Sequence, residues 1–78
     1  MSVRVKLVFP DQLVREPIIA KMVHAFDVEP NIRRASVEED YGWIILELAG
    51  TGADIDRAIA WLTETGVTVE LLGDVVES

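Results

Sequence analysis

Cysteine is absent, which excludes disulfides, zinc ribbons, thiol redox chemistry and any cysteine-held iron–sulfur cluster. That absence fits a reducing cytoplasm. Histidine occurs once, at His24, so one chain cannot build a histidine-based metal cluster, and nothing supports a Ser-His-Asp set around it. No apolar run approaches the length of a membrane span, and the alternating start Met1-Ser2-Val3-Arg4-Val5-Lys6 is not a signal peptide. Glycine is missing from the segment after the first strand, where a phosphate-binding loop would need it; neither a P-loop nor a dinucleotide fingerprint is present. Basic residues are scarce, seven against fourteen acids, for a net charge of −7. Such a field repels phosphate backbones and argues against nucleic acid as a partner.

What remains is a chain of 78 residues, half of them hydrophobic, enough for one domain with a thin core. Val3, Val5, Leu7 and Phe9 alternate with Arg4, Lys6 and Val8 as a half-buried strand that Pro10-Asp11 ends. Pro17 is placed as the first residue of a helix whose apolar face is Ile18, Met22 and Phe26, with Ile19 and Val23 beside them. Asn31 to Glu39 and Gly42 to Ala49 read as two strands of a hairpin around Asp40-Tyr41-Gly42. Thr51 three residues before Asp54 resembles a capping box, with Asp in place of Glu, and opens a second helix on Ile55, Ala58, Ile59 and Leu62. Gly66 stops it. Val67, Val69 and Leu71 form a last strand, and Gly73 to Ser78 is expected to fray.

The order β-α-β-β-α-β predicts an α+β, ferredoxin-like sandwich: a four-stranded antiparallel sheet with both helices on one face. The expected extent is a single domain over 1–78, ordered over about 3–73. Alternation then assigns the open sheet face. It receives Arg4, Lys6, Val8, Trp43, Ile45, Glu47, Thr68, Glu70 and Leu72, and from the second strand Ile32, Arg34, Ser36 and Glu38. Ala35 and Val37 turn inward. Arg33 falls on the helix side, an uncomfortable place for a charge that either a bulge or an exposed strand end would relieve. Trp43 is equally a sheet-face contact or a tolerated surface aromatic. Arg34 reads as a cross-strand charge partner of Glu47 or Glu38.

Catalytic candidates are weak. Acylphosphatases share this topology and use an arginine near the first helix, where Arg15 lies, but the third strand, Gly42 to Ala49, offers no partner asparagine. Glu38, Glu39 and Asp40 read as a solvated hairpin tip, since no spaced loop of cation ligands follows. RNA-recognition domains of this topology stack bases on central-strand aromatics, and here only Trp43 is available. The residues imply no enzyme, no cofactor and no metal.

Asn31-Ile32-Arg33 at the start of the second strand resembles the Asn-Ile-Leu signature of the NIL domain, with Arg33 in place of leucine. The likeness includes Glu16-Pro17-Ile18-Ile19, Phe26-Asp27-Val28, Tyr41-Gly42, Glu47-Leu48-Ala49-Gly50, Ala58-Ile59-Ala60-Trp61-Leu62 and the run from Gly66 to Gly73. It spans Val3 to Gly73. NIL domains are ferredoxin-like, ACT-like regulatory domains, usually the C-terminal part of methionine-importer ATPase subunits. The resemblance therefore implies a cytoplasmic regulatory domain, here read as free-standing, that forms a homodimer and binds methionine or a related amino acid near the interface. A transporter ATPase or another protein is its implied partner. The signature asparagine carries over to Asn31, with Ile32, Arg33 and Arg34 as neighbours of the ligand site. The residues by themselves leave open that Asn31 only satisfies turn backbone groups after Pro30. An alternative function is a dimerisation or protein-interaction module without a small-molecule ligand, docking through Trp43 and Ile45.

Overall fold

The computed structural model describes residues 1–14, 16–38 and 40–74. Its elements run β1 (Ser2–Phe9), α1 (Ile18–Ala25), β2 (Glu29–Val37), β3 (Gly42–Ala49), α2 (Gly52–Thr65) and β4 (Thr68–Asp74). The sheet order is β2-β3-β1-β4, with every neighbouring pair antiparallel. This is the ferredoxin-like sandwich that the element order predicts. Both helices pack on one face of the sheet, where Val5, Leu7, Leu46 and Leu48 meet Met22, Ile55, Ala58 and Leu62, all essentially removed from solvent. Phe9, Ile18, Val28 and Val67 complete the buried core. Among the described residues no helix is long and apolar enough to cross a membrane.

The two helices begin differently. Pro17 is the cap of α1, not its first helical residue, and no side chain caps that end. Phe26 lies just past the helix and seats its ring 6.1 Å from Trp61 on α2, tilted by 58°. At α2 the Asp54 backbone N–H donates to Thr51 Oγ1 at 3.1 Å, as an N-cap should. The reciprocal half departs from a capping box: the Asp54 carboxylate accepts from the Thr51 hydroxyl at 2.9 Å and from Arg57. The shorter aspartate serves its neighbours' side chains. These contacts, the Thr51 hydrogen bond first and Arg57 second, hold the Asp54 carboxyl below its ordinary value of 3.8. At the far end Gly66 adopts φ 109°, and the Val67 N–H reaches back to the Leu62 carbonyl at 3.0 Å, closing the helix.

Several strand boundaries differ from the sequence expectation: β2 ends at Val37 instead of Glu39, β1 starts at Ser2 and β4 at Thr68. β2 begins at Glu29, because Pro30 sits in an edge strand, where a missing N–H costs no ladder bond. β4 continues through Gly73 to Asp74 by pairing with Val3 and Arg4, so Gly73 is strand, not frayed tail. Residues 75–78 lie outside the described residues.

Candidate functional site

The open face of the sheet is laid out in rows by the strand register. Asn31, Glu47, Arg4 and Gly73 lie across from one another in the first row. Arg34, Ile45, Lys6 and Glu70 make the second, and Ser36, Trp43, Val8 and Thr68 the third. Between the first and second rows both edge strands carry an irregularity. In β2 the register shifts between Ile32 and Arg34, leaving Arg33 as the extra residue. In β4 it shifts between the partners of Arg4 and Val5, leaving Leu72 unpaired. A bulge bends its strand and re-aims the side chain it frees.

The bulge in β2 decides the question its two arginines raise. Residues after it keep the expected faces: Arg34 and Ser36 open, Ala35 and Val37 toward the helices. Residues before it are reversed. Ile32 lies opposite Leu46, on the helix side, not on the open face. Asn31 lies opposite Glu47 on the open face. Arg33 is not on the helix side either: its Nε stands 3.7 Å from Glu47 Oε1. Two consecutive arginines thus share one face, which strict alternation forbids.

Together they shape a concavity of about 350 Å³ lined by Arg4, Arg33, Arg34, Ile45 and Leu72. Glu47, its side chain only 18% exposed, accepts from Arg4 Nη2 at 2.8 Å and faces Arg33. The cross-strand partner of Glu47 is therefore Arg4, not Arg34, and Arg34 has no ion pair among the described residues. Farther along, Lys6 Nζ lies 5.4 Å from the Trp43 ring centroid, so this aromatic carries a cation on its face. Of the residues singled out in the sequence, Arg33, Arg34 and Ile45 meet in the concavity. Asn31 is not among its lining residues but shares the first row with Arg4 and Glu47, Trp43 stands one row beyond Ile45, and Ile32 is on the other side of the sheet. Arg4 and Leu72 join the site although the sequence reading placed them only on the open face. Their signal, a surplus residue in each edge strand, has no local sequence mark.

A second hollow of about 150 Å³ opens at the opposite end of the sheet, on the helix side. Phe9, Leu13, Pro17, Ile18, Val37 and Ile44 line it, so it is almost wholly apolar. Arg15, the candidate for acyl-phosphate chemistry, and Glu39 of the acidic hairpin tip lie outside the described residues. His24 is exposed on α1.

The chain resembles curated and solved proteins in a consistent way. It is 36% identical over 72 residues to the methionine import ATP-binding protein MetN of Escherichia coli (strain K12), covering 87% of this chain and 21% of that protein. Against the protein of the same description from Helicobacter pylori (strain J99) it is 32% identical over 73 residues, covering 88% and 22%. The chain thus spans about a fifth of the length of these relatives. Among solved structures, the C-terminal domain of an ABC transporter ATP-binding protein from Enterococcus faecalis superposes with a TM-score of 0.79 at 26% identity, covering 94% of this chain and 86% of that one. A de novo designed protein, Foldit4, matches at a TM-score of 0.59 and 9% identity, a likeness of fold alone. The NIL domain family matches residues 3–71, nearly the whole length over which the core and both bulges are built, and the chain belongs to that family.

Proposed function

We propose that this NIL domain is a non-catalytic regulatory module that senses a small amino acid, methionine or a relative of it, on the open sheet face beside Asn31, near a homodimer interface. The observation that carries this reading is family membership over residues 3–71 combined with the concavity at the β2 bulge. Asn31 offers an amide that both donates and accepts, suited to an ammonium and a carboxylate. Arg33 and Arg34 offer planar guanidiniums to a carboxylate. Ile45 and Leu72 offer apolar area to a side chain. Ile32, on the helix side, supports the strand and does not touch the ligand. The relatives' descriptions as methionine import ATP-binding proteins support a transporter ATPase as the regulated partner and a position on the cytoplasmic side.

A second reading, an interaction module without a ligand, draws on a specific feature. β2 is an edge strand nine residues long, and it exposes Ile32 at 55% and Val37 at 67%. An uncovered edge of this kind invites pairing with another chain. With Trp43 and Ile45 it supplies the surface for the homodimer in either reading.

Calorimetric titration with L-methionine, paired with sedimentation of the free and liganded protein, tests the proposal. Saturable binding that Asn31→Ala abolishes, with the dimer retained, is the expected result. A dimer that Trp43→Ala or Ile45→Ala dissociates, with no heat from any amino acid, would favour the ligand-free module.

A further inference from the structure

We infer that the concavity at the two bulges prefers a ligand with two negative charges, so that an acidic molecule binds there more tightly than a neutral amino acid such as methionine. The inference rests on the reading of this face as a ligand site and specifies the ligand's charge. Three guanidiniums, Arg4, Arg33 and Arg34, line one hollow with a single carboxylate, Glu47, among them. Two positive charges are left over. Lys6 and Glu70, register partners in the next row, are opposite in charge and add no net surplus, while the Lys6 ammonium itself lies over Trp43.

This accumulation runs against the rest of the chain. The protein carries a net charge of −7, yet four of its seven bases, Arg4, Lys6, Arg33 and Arg34, stand on this one sheet face. The acids on the strands of this face are Glu29, Glu47 and Glu70, and others, such as Asp54, Asp56 and Glu64, lie on α2. Regular alternation would have separated Arg33 from Arg34; the β2 bulge puts them side by side. The matching irregularity in β4 places Leu72 at the same level, so distortions in two separate strands frame one hollow.

Like charges crowded together repel, and a bound anion removes that repulsion. A zwitterion such as methionine brings no net charge and leaves both surplus charges in place. A dicarboxylate or a phosphate group brings two negative charges and oxygen pairs that match the guanidinium fork. Glu47 remains paired with Arg4, and Arg34, which has no ion pair among the described residues, engages the anion. Ile45 and Leu72 leave an apolar floor for a short carbon chain, which favours a dicarboxylate over bare phosphate.

Amide shifts of the labelled protein are followed during titration with succinate, inorganic phosphate and L-methionine at constant ionic strength. Saturable succinate shifts at Arg33, Arg34, Ile45 and Leu72 are expected, with affinity about tenfold above methionine. Phosphate that saturates the same amides as tightly as succinate would identify a single phosphate group as the recognised chemistry; weaker phosphate identifies the carbon-linked pair. Arg34→Gln, at an exposed position that makes no ion pair among the described residues, weakens succinate about tenfold or more, whereas Lys21→Gln on α1 leaves it unchanged. Methionine binding as tightly as succinate would overturn the inference but leave the sensing role standing. Absence of saturable shifts with all three probes would sink both. Equal weakening by Arg34→Gln and Lys21→Gln would reduce the effect to net charge and overturn the site.

Discussion

Truncating Leu46 to alanine tests the sheet's two-sidedness most sharply, because its neighbour across the ladder is a built-in control. Leu46 lies in β3 and is 0% exposed, while Ile32 opposite it in edge strand β2 is 55% exposed on the same side. Removing a fully buried leucine side chain loses its transfer free energy and leaves a cavity, together about 3 kcal/mol. Over 78 residues the unfolding entropy amounts to about 0.16 kcal/mol/K, so each kcal/mol lowers Tm by about 6 °C. Leu46→Ala should therefore lower Tm by about 18 °C, a large fraction of the roughly 4–12 kcal/mol available to a domain of this length. Ile32→Ala removes atoms already half in water and should cost about 1 kcal/mol, or about 6 °C. Thermal unfolding followed by far-UV circular dichroism measures both. Equal losses in the two variants would refute the placement of Ile32 at the rim, and with it the β2 register.

The ends of α2 give two further expectations. Thr51→Ala removes the hydroxyl that accepts the Asp54 N–H and should cost about 1 kcal/mol, read by urea titration. It should also weaken the acid dependence that Asp54 confers. The folded-state pKa of Asp54 lies below its unfolded value, so its stabilising contribution is full above about pH 3.8 and is lost as pH falls through the lower folded value. Wild type should thus lose more stability than Asp54→Asn over that acid range. Gly66 holds φ 109°, and an added Cβ would stand 3.3 Å from Leu13 Cδ1; Gly66→Ala should cost about 1–2 kcal/mol, seen as a lower urea midpoint with unchanged slope.

Much of the fold is written in local pattern. The strand alternation of Val5-Lys6-Leu7 and the helical recurrence of Ile55, Ala58 and Leu62 each name the face that is buried. Thr51 and Gly66 mark the ends of α2 because a cap and a left-handed turn need those residue types. The site is less legible for a physical reason. A bulge is chosen by the pairing of two strands, and nothing in Asn31-Ile32-Arg33-Arg34 alone says which residue is surplus. One extra residue reverses every face before it, so strict alternation puts Ile32 and Arg33 on the wrong sides while Arg34, Ser36 and Val37, beyond it, keep the faces it predicts. The discomfort of an inward Arg33 was the real signal, and a bulge was one of its two reliefs. Arg4 and Leu72 reach the site from distant strands, so sequence spacing could not gather them with Arg33 and Arg34.

The most direct measurement is a residue-resolved map of amide shifts as amino-acid and dicarboxylate ligands are added. Changes centred on Asn31, Arg33, Arg34, Ile45 and Leu72 would place the ligand on the open sheet face at the bulges, as the account predicts. Changes centred on Phe9, Leu13, Ile18, Val37 and Ile44 would instead put it in the apolar hollow on the helix side and contradict the account.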